Sequence, residues 1–184
     1  MRRISIIIMG LALFLSLGSA KPISFIDDTN LIIIDRIEIE IQGTSTVGKY
    51  NCSNAFNKRD TIFINSSVQN NLKAEIAMNN FDCGNRIMNK DLKTTIMVDK
   101  FPKSYVTISN IKPFATNYKC NLNFLITNKN VKYKDFVLKN SKESLEGTIG
   151  LKFSELELVP PTKMGGLIKV KDDIIVNFIL YKKK

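Results

Sequence analysis

Three cysteines, no histidine and scattered carboxylates set the chemistry open to this chain. Without histidine it lacks the commonest general base near neutral pH and the commonest transition-metal ligand. A cysteine nucleophile would need another base, and neither a Cys-x-x-Cys nor a nucleophile-elbow spacing occurs. Gly165-Gly166 lacks the context of a phosphate-cradling loop. Asp27-Asp28 and Asp172-Asp173 are adjacent in sequence, which suits tight turns better than an acid and a base facing each other across a cleft. Asp91 has Lys90 and Lys93 beside it for surface pairing. These residues argue against an enzyme, a metal site and a cofactor.

The cysteines read better as structure. Arg2 and Arg3 precede an apolar run from Ile4 to Leu17, and Gly18-Ser19-Ala20 supplies small residues where a signal peptidase reads. The run is shorter than the about 20 residues needed to span a bilayer. The expectation is a signal peptide over 1–20, cleaved after Ala20, and one mature domain over 21–184 that is periplasmic or secreted. No cysteine stands directly after the run to begin a lipidated mature chain, so a lipoprotein is not expected.

In an oxidising compartment three cysteines imply one pair and one leftover. Cys52 lies near the end of the strand-like run Val47 to Cys52, and Cys83 closes the run Ala74 to Phe81. As antiparallel neighbours these runs would bring the two together, so Cys52 and Cys83 are the disulfide candidates. Such a loop contributes roughly 3 to 4 kcal/mol in the chain-entropy model. Cys120, inside Tyr118 to Thr127, reads as a buried small apolar residue.

The elements that must position any site are mostly strands. In Leu31 to Ile41, Ile33, Ile37, Ile39 and Ile41 alternate with polar residues, with Asp35 out of phase on the inner side. Gly43-Thr44-Ser45 ends that strand and Thr46 to Cys52 returns. Asn54 to Asn71 reads as a long polar connection with a short edge strand at Ile62-Phe63-Ile64. Leu72, Ala74, Ile76 and Met78 form a further strand face. Then the period changes: Met88, Leu92 and Ile96 recur at helical spacing after Asn85, a suitable N-cap. Tyr105 to Ile111, Asn117 to Thr127, Val131 to Leu138 and Leu145 to Phe153 follow as strands with turn-rich borders. From Leu158 to Leu180, two alternating segments meet at a corner of Pro160-Pro161 and Gly165-Gly166. Asp172-Asp173 is the expected turn into a closing strand with Ile174, Val176, Phe178 and Leu180 on one face.

The string Pro160-Pro161-Thr162-Lys163-Met164-Gly165-Gly166-Leu167-Ile168-Lys169-Val170-Lys171-Asp172-Asp173 and its closing strand resemble the end of the YceI-like family, lipid- and polyisoprenoid-binding proteins of the bacterial periplasm. Met88-Asn89-Lys90-Asp91-Leu92, with Phe101-Pro102 downstream, is similar to that family's short segment before a strand. The resemblance runs from about Ile37 to Leu180. It implies an all-β, lipocalin-like antiparallel β-barrel of about eight strands with a short helix near one end, holding an isoprenoid tail. Alternation alone would fit a sandwich equally well.

Within such a barrel the inward positions expected to contact the ligand are Ile76, Met78, Met88, Leu92, Val106, Ile108, Leu122, Phe124, Phe136, Leu138, Leu151, Phe153, Val176 and Phe178. Met88 and Leu92 would seal one end, or touch the lipid if the cavity reaches there. The implied function is an exported carrier of an isoprenoid quinone, a polyprenyl lipid or a fatty acyl chain. The alternative is a structural or interaction protein with a filled core. Lysine and arginine number 27 against 17 acids; without Arg2 and Arg3 the balance is 25 to 17, or +8. The lysines lie between apolar positions as an outer face would, and could bring transient contact with an anionic membrane surface. No motif interleaves them with stacking aromatics, so nucleic acid is not an expected partner. Nothing in the sequence sets the oligomeric state.

Overall fold

The computed structural model describes residues 31–64 and 70–183. The expected leader over 1–20, its expected cleavage site and the Asp27-Asp28 pair lie outside the described residues.

Among the described residues nine strands follow in order: β1 Leu31–Ser45, β2 Gly48–Phe63, β3 Asn71–Ala77, β4 Lys103–Phe114, β5 Asn117–Ile126, β6 Lys129–Asn140, β7 Ser144–Lys152, the two-residue β8 Thr162–Lys163, and β9 Ile168–Lys182. Among the described residues one α-helix, α1 Arg86–Thr95, lies between β3 and β4. All strand pairs are antiparallel, in the order β2-β1-β9-β7-β6-β5-β4-β3, with β8 beside β9. The main path of eight strands curls into a nearly closed barrel whose inward faces supply one apolar core. Among the described residues no helix is long and apolar enough to cross a membrane.

The barrel does not close by a ladder. β2 and β3 are its two edges, and they meet just beyond β3 at one isolated bridge, Ser53 with Asp82, whose two N–H···O bonds are 2.8 and 2.9 Å. Asn54, buried, adds a side-chain bond from Nδ2 to the Ala77 carbonyl, 3.0 Å. The Cys52–Cys83 disulfide spans the same seam. The bond therefore forms as expected, but between the two edges of an open sheet rather than between laddered neighbours. On the opposite side β6 and β7 pair at only two positions, so the barrel is two four-stranded halves joined at two narrow seams.

Several sequence expectations are corrected. β2 continues through Asn54 and Arg59 to Phe63, where a polar connection was expected. It is an edge strand with few buried positions, so it carries little apolar signal. Ile32 and Ile34 rather than Ile33 face the core, because the register shifts at Asp35 and inverts the alternation before Ile37, Ile39 and Ile41. The segment before Pro160 is a short 3-10 turn, Ser154–Leu156, not a strand. Asp172 and Asp173 lie inside β9 rather than in a turn, and the corner is made earlier, by Gly165 and Gly166 at φ of 64° and 101°. Asp91 pairs with Lys163, 2.7 Å away, not with Lys90 or Lys93.

Candidate functional site

An apolar cavity occupies the barrel interior. β1 contributes Ile37, Ile39 and Ile41; β3 contributes Leu72, Ala74 and Ile76; β4 and β5 contribute Val106, Ile108, Leu122, Phe124 and Ile126. β7, β9 and the turns after β3 and β7 complete the wall with Leu151, Phe153, Val176, Phe178 and Met78, among others. Ser104 is the one polar residue of the lining, and its hydroxyl is spent on the Leu125 carbonyl at 2.6 Å. The cavity leaves about 100 Å³ in which a water-sized group can move. About 10 to 15 Å³ of such room suffices for one water, so the interior is not filled by its own side chains. With no free polar partner, water has little reason to stay there.

α1 closes one end. Asn85 caps it as expected, its side chain accepting from the Met88 N–H at 2.9 Å, and Leu92 and Ile96 point inward to line the cavity. Met88, half-buried, faces elsewhere: it lines a second hollow of about 280 Å³ between α1, the β1–β2 turn and the β8–β9 corner. This vestibule also contains Tyr50, Ile87, Lys49, Lys163, the Cys52–Cys83 bond and the α1 residue Asp91. Leu92 and Phe153 line both spaces and form the partition between them.

Phe153 is held by β9. Its N–H donates to the Asp172 carbonyl at 3.0 Å, while the next residue, Ser154, gives Asp172 a backbone N–H bond of 2.9 Å and a hydroxyl bond of 2.6 Å. The hydroxyl first, then the backbone N–H, hold the Asp172 carboxyl below its ordinary range. Tyr50 lies across Gly43 in the vestibule, where burial pushes its phenol up to about 12. Burial likewise pushes the free Cys120 thiol up to about 12. Neither group ionises near neutral pH, and no cluster of three or more metal-binding side chains occurs among the described residues.

Of the sequence-derived positions, Ile76, Met78, Leu92, Val106, Ile108, Leu122, Phe124, Leu151, Phe153, Val176 and Phe178 come together around the cavity. Met88, Phe136 and Leu138 do not line it. Leu138 is fully buried away from the void. Phe136 keeps its inner face, opposite Cys120, but stacks on Phe178 with ring centres 5.7 Å apart; the register shift near Asp135, whose φ is 52°, puts Tyr133 on that face beside it. The stack extends through Tyr133 to Phe124 and braces the inner surface of β5 and β6. Gly147 makes room for it: a Cβ there would collide with the Phe178 ring. The β1 isoleucines, Leu72 and Ser104 were missing from the sequence-derived set, although alternation had already put the β1 residues on an inner face.

The fold has a solved counterpart. A polyisoprenoid binding domain from Saccharophagus degradans, implicated in plant cell wall breakdown, superposes with a TM-score of 0.52 over 84% of this chain and 98% of that one. Sequence identity is 10%, so the likeness is one of fold. No protein-family model and no curated protein sequence matches the chain.

Proposed function

We propose that this protein is a non-enzymatic exported carrier that encloses the prenyl tail of a quinone or polyprenyl lipid in its barrel. The single observation behind the reading is the lining: a void walled by aliphatic and aromatic side chains, with its one hydroxyl already satisfied. Such a wall cannot orient a polar metabolite, but it gains from every apolar group removed from water. At about 0.8 kcal/mol per buried carbon group, one isoprene unit contributes roughly 4 kcal/mol, so tail length outweighs headgroup in setting affinity. The Saccharophagus degradans domain of the same fold, itself described as polyisoprenoid-binding, supports the ligand class. The apolar leader sequence and the disulfide support export.

In this reading the cavity takes the inner end of the tail. Leu92 and Phe153 turn aside to let the chain thread from the vestibule, whose lysines and polar rim suit a headgroup. The protein is titrated with a long-tailed prenyl quinone and with the same quinone ring lacking its tail, following tyrosine fluorescence. The tailed compound is expected to saturate and the tailless one not to bind. Val106→Trp, which places a ring in the void, should weaken binding at least tenfold while the far-ultraviolet circular dichroism stays unchanged. Equal binding of both compounds, or of neither, contradicts the proposal.

A further inference from the structure

Four large apolar side chains on the vestibule rim face water: Val47 in the β1–β2 turn, Ile87 in the first turn of α1, and Met164 and Leu167 in the β8–β9 corner. They are 71, 71, 71 and 73% exposed. Val159, 81% exposed, lies two residues before Pro161, itself part of the vestibule wall. The remaining exposed large apolar residues, on the barrel wall and after α1, reach only 36 to 46%. The five most exposed apolar side chains among the described residues thus belong to one end of the molecule.

That end is tied together. The Thr46 N–H donates to the Lys169 carbonyl at 3.0 Å, and the Thr46 hydroxyl to the Leu167 carbonyl at 2.8 Å, joining the two turns. Lys163 and Asp91 join the corner to α1. The positive φ of Met164, Gly165 and Gly166 keeps the corner in a tight turn that presents Met164 and Leu167 outward. Water-facing apolar groups grouped in this way mark a contact surface. Lys49 and Lys169 stand among them, while Lys163 is paired with Asp91, the one acid in the vestibule wall, so the rim stays net positive.

We infer that this rim docks the protein onto an anionic lipid bilayer, with the apolar tips entering the interface and the lysines meeting the headgroups. A second copy is a poorer occupant, because two lysine-bordered rims would face each other. The inference rests on the carrier reading for its purpose, since docking there would open the vestibule to the membrane, but its test needs no bound ligand.

Protein recovered from cells producing the full chain is sedimented with vesicles of equal parts phosphatidylglycerol and phosphatidylcholine, and with pure phosphatidylcholine. Binding is expected only to the anionic vesicles and to weaken with added salt. Val47→Ser combined with Leu167→Ser should lower the partition coefficient roughly tenfold through lost apolar insertion. Leu125→Ser combined with Val137→Ser, on the barrel wall, should leave it unchanged. All four side chains are exposed, and circular dichroism checks that each variant is folded. Docking is overturned if the wild type does not bind, if the rim variant binds as the wild type does, or if the rim substitutions instead dissolve a dimer in analytical ultracentrifugation. Quinone titration of the wild type separates the two claims: tail binding without vesicle binding sinks only this inference, and vesicle binding without tail binding sinks only the carrier reading.

Discussion

At the scale of single residues, Cys120 and Asp172 are set by their surroundings. Cys120 is 2% exposed, and burial keeps its thiol protonated. A thiol reagent at neutral pH should therefore label no cysteine of the folded, oxidised protein and one per chain in denaturant. Rapid labelling in the native state would contradict the buried placement. The Asp172 carboxylate holds Ser154, the neighbour of Phe153, through two hydrogen bonds. Because its carboxyl sits below the ordinary carboxylate range, its contribution to stability is complete above the unfolded value of about 4 and fades as the pH falls through the lower folded value. Comparing denaturant midpoints of Asp172→Asn and wild type across pH should give a constant gap near neutrality that narrows in acid. A gap independent of pH would mean that the Ser154 bonds do not depend on the charge.

At the scale of elements, the two seams distinguish this barrel from a closed ladder. At the β2–β3 seam one bridge, one asparagine and one disulfide stand in for a row of backbone bonds. Cys52 and Cys83 lie 31 residues apart, which corresponds to about 3 to 4 kcal/mol of stability in the chain-entropy model. Replacing both by serine should lower the unfolding free energy by about that amount, and hydrogen exchange should quicken first along β2 and β3. Exchange rising evenly around the barrel would argue against the disulfide as a local staple. The same seam shows where the sequence was legible. Strands with one apolar face, such as β3 and β5, announced themselves by alternation, and α1 by its cap and its four-residue spacing. β2 did so only at its two ends, Thr46 to Cys52 and Ile62-Phe63-Ile64, because between them, as an edge, it buries Asn54 where an inner strand would carry an aliphatic residue. The register shifts at Asp35 and near Asp135 were hidden for a different reason. A one-residue offset is set by what the partner strands oppose and reverses the side chains beyond it: at Asp35 it put Ile33 on the wrong face, and near Asp135 it brings Tyr133 onto the same inner face as Phe136.

At the scale of the whole molecule, a curled sheet, a helical cap and a β8–β9 corner together make an oily interior behind a half-polar vestibule. The fold was legible because two short strings in the right order selected a barrel over a sandwich. The void itself was not, since alternation specifies which side chains face in and not how completely they fill the space. Gly147 shows how finely that filling is set. Gly147→Ala would drive the Phe178 ring off its place, costing roughly 1 to 3 kcal/mol as overpacking and reducing the room for a tail, both measurable by thermal unfolding and quinone titration. The most direct test of the account is mass spectrometry of the organic extract of protein purified under mild conditions from its producing cells. The account predicts a prenyl-chain lipid in near-stoichiometric amount, absent from the extract of Val106→Trp. An extract free of any long-chain lipid, from a protein that also refuses every prenyl compound added to it, would contradict it.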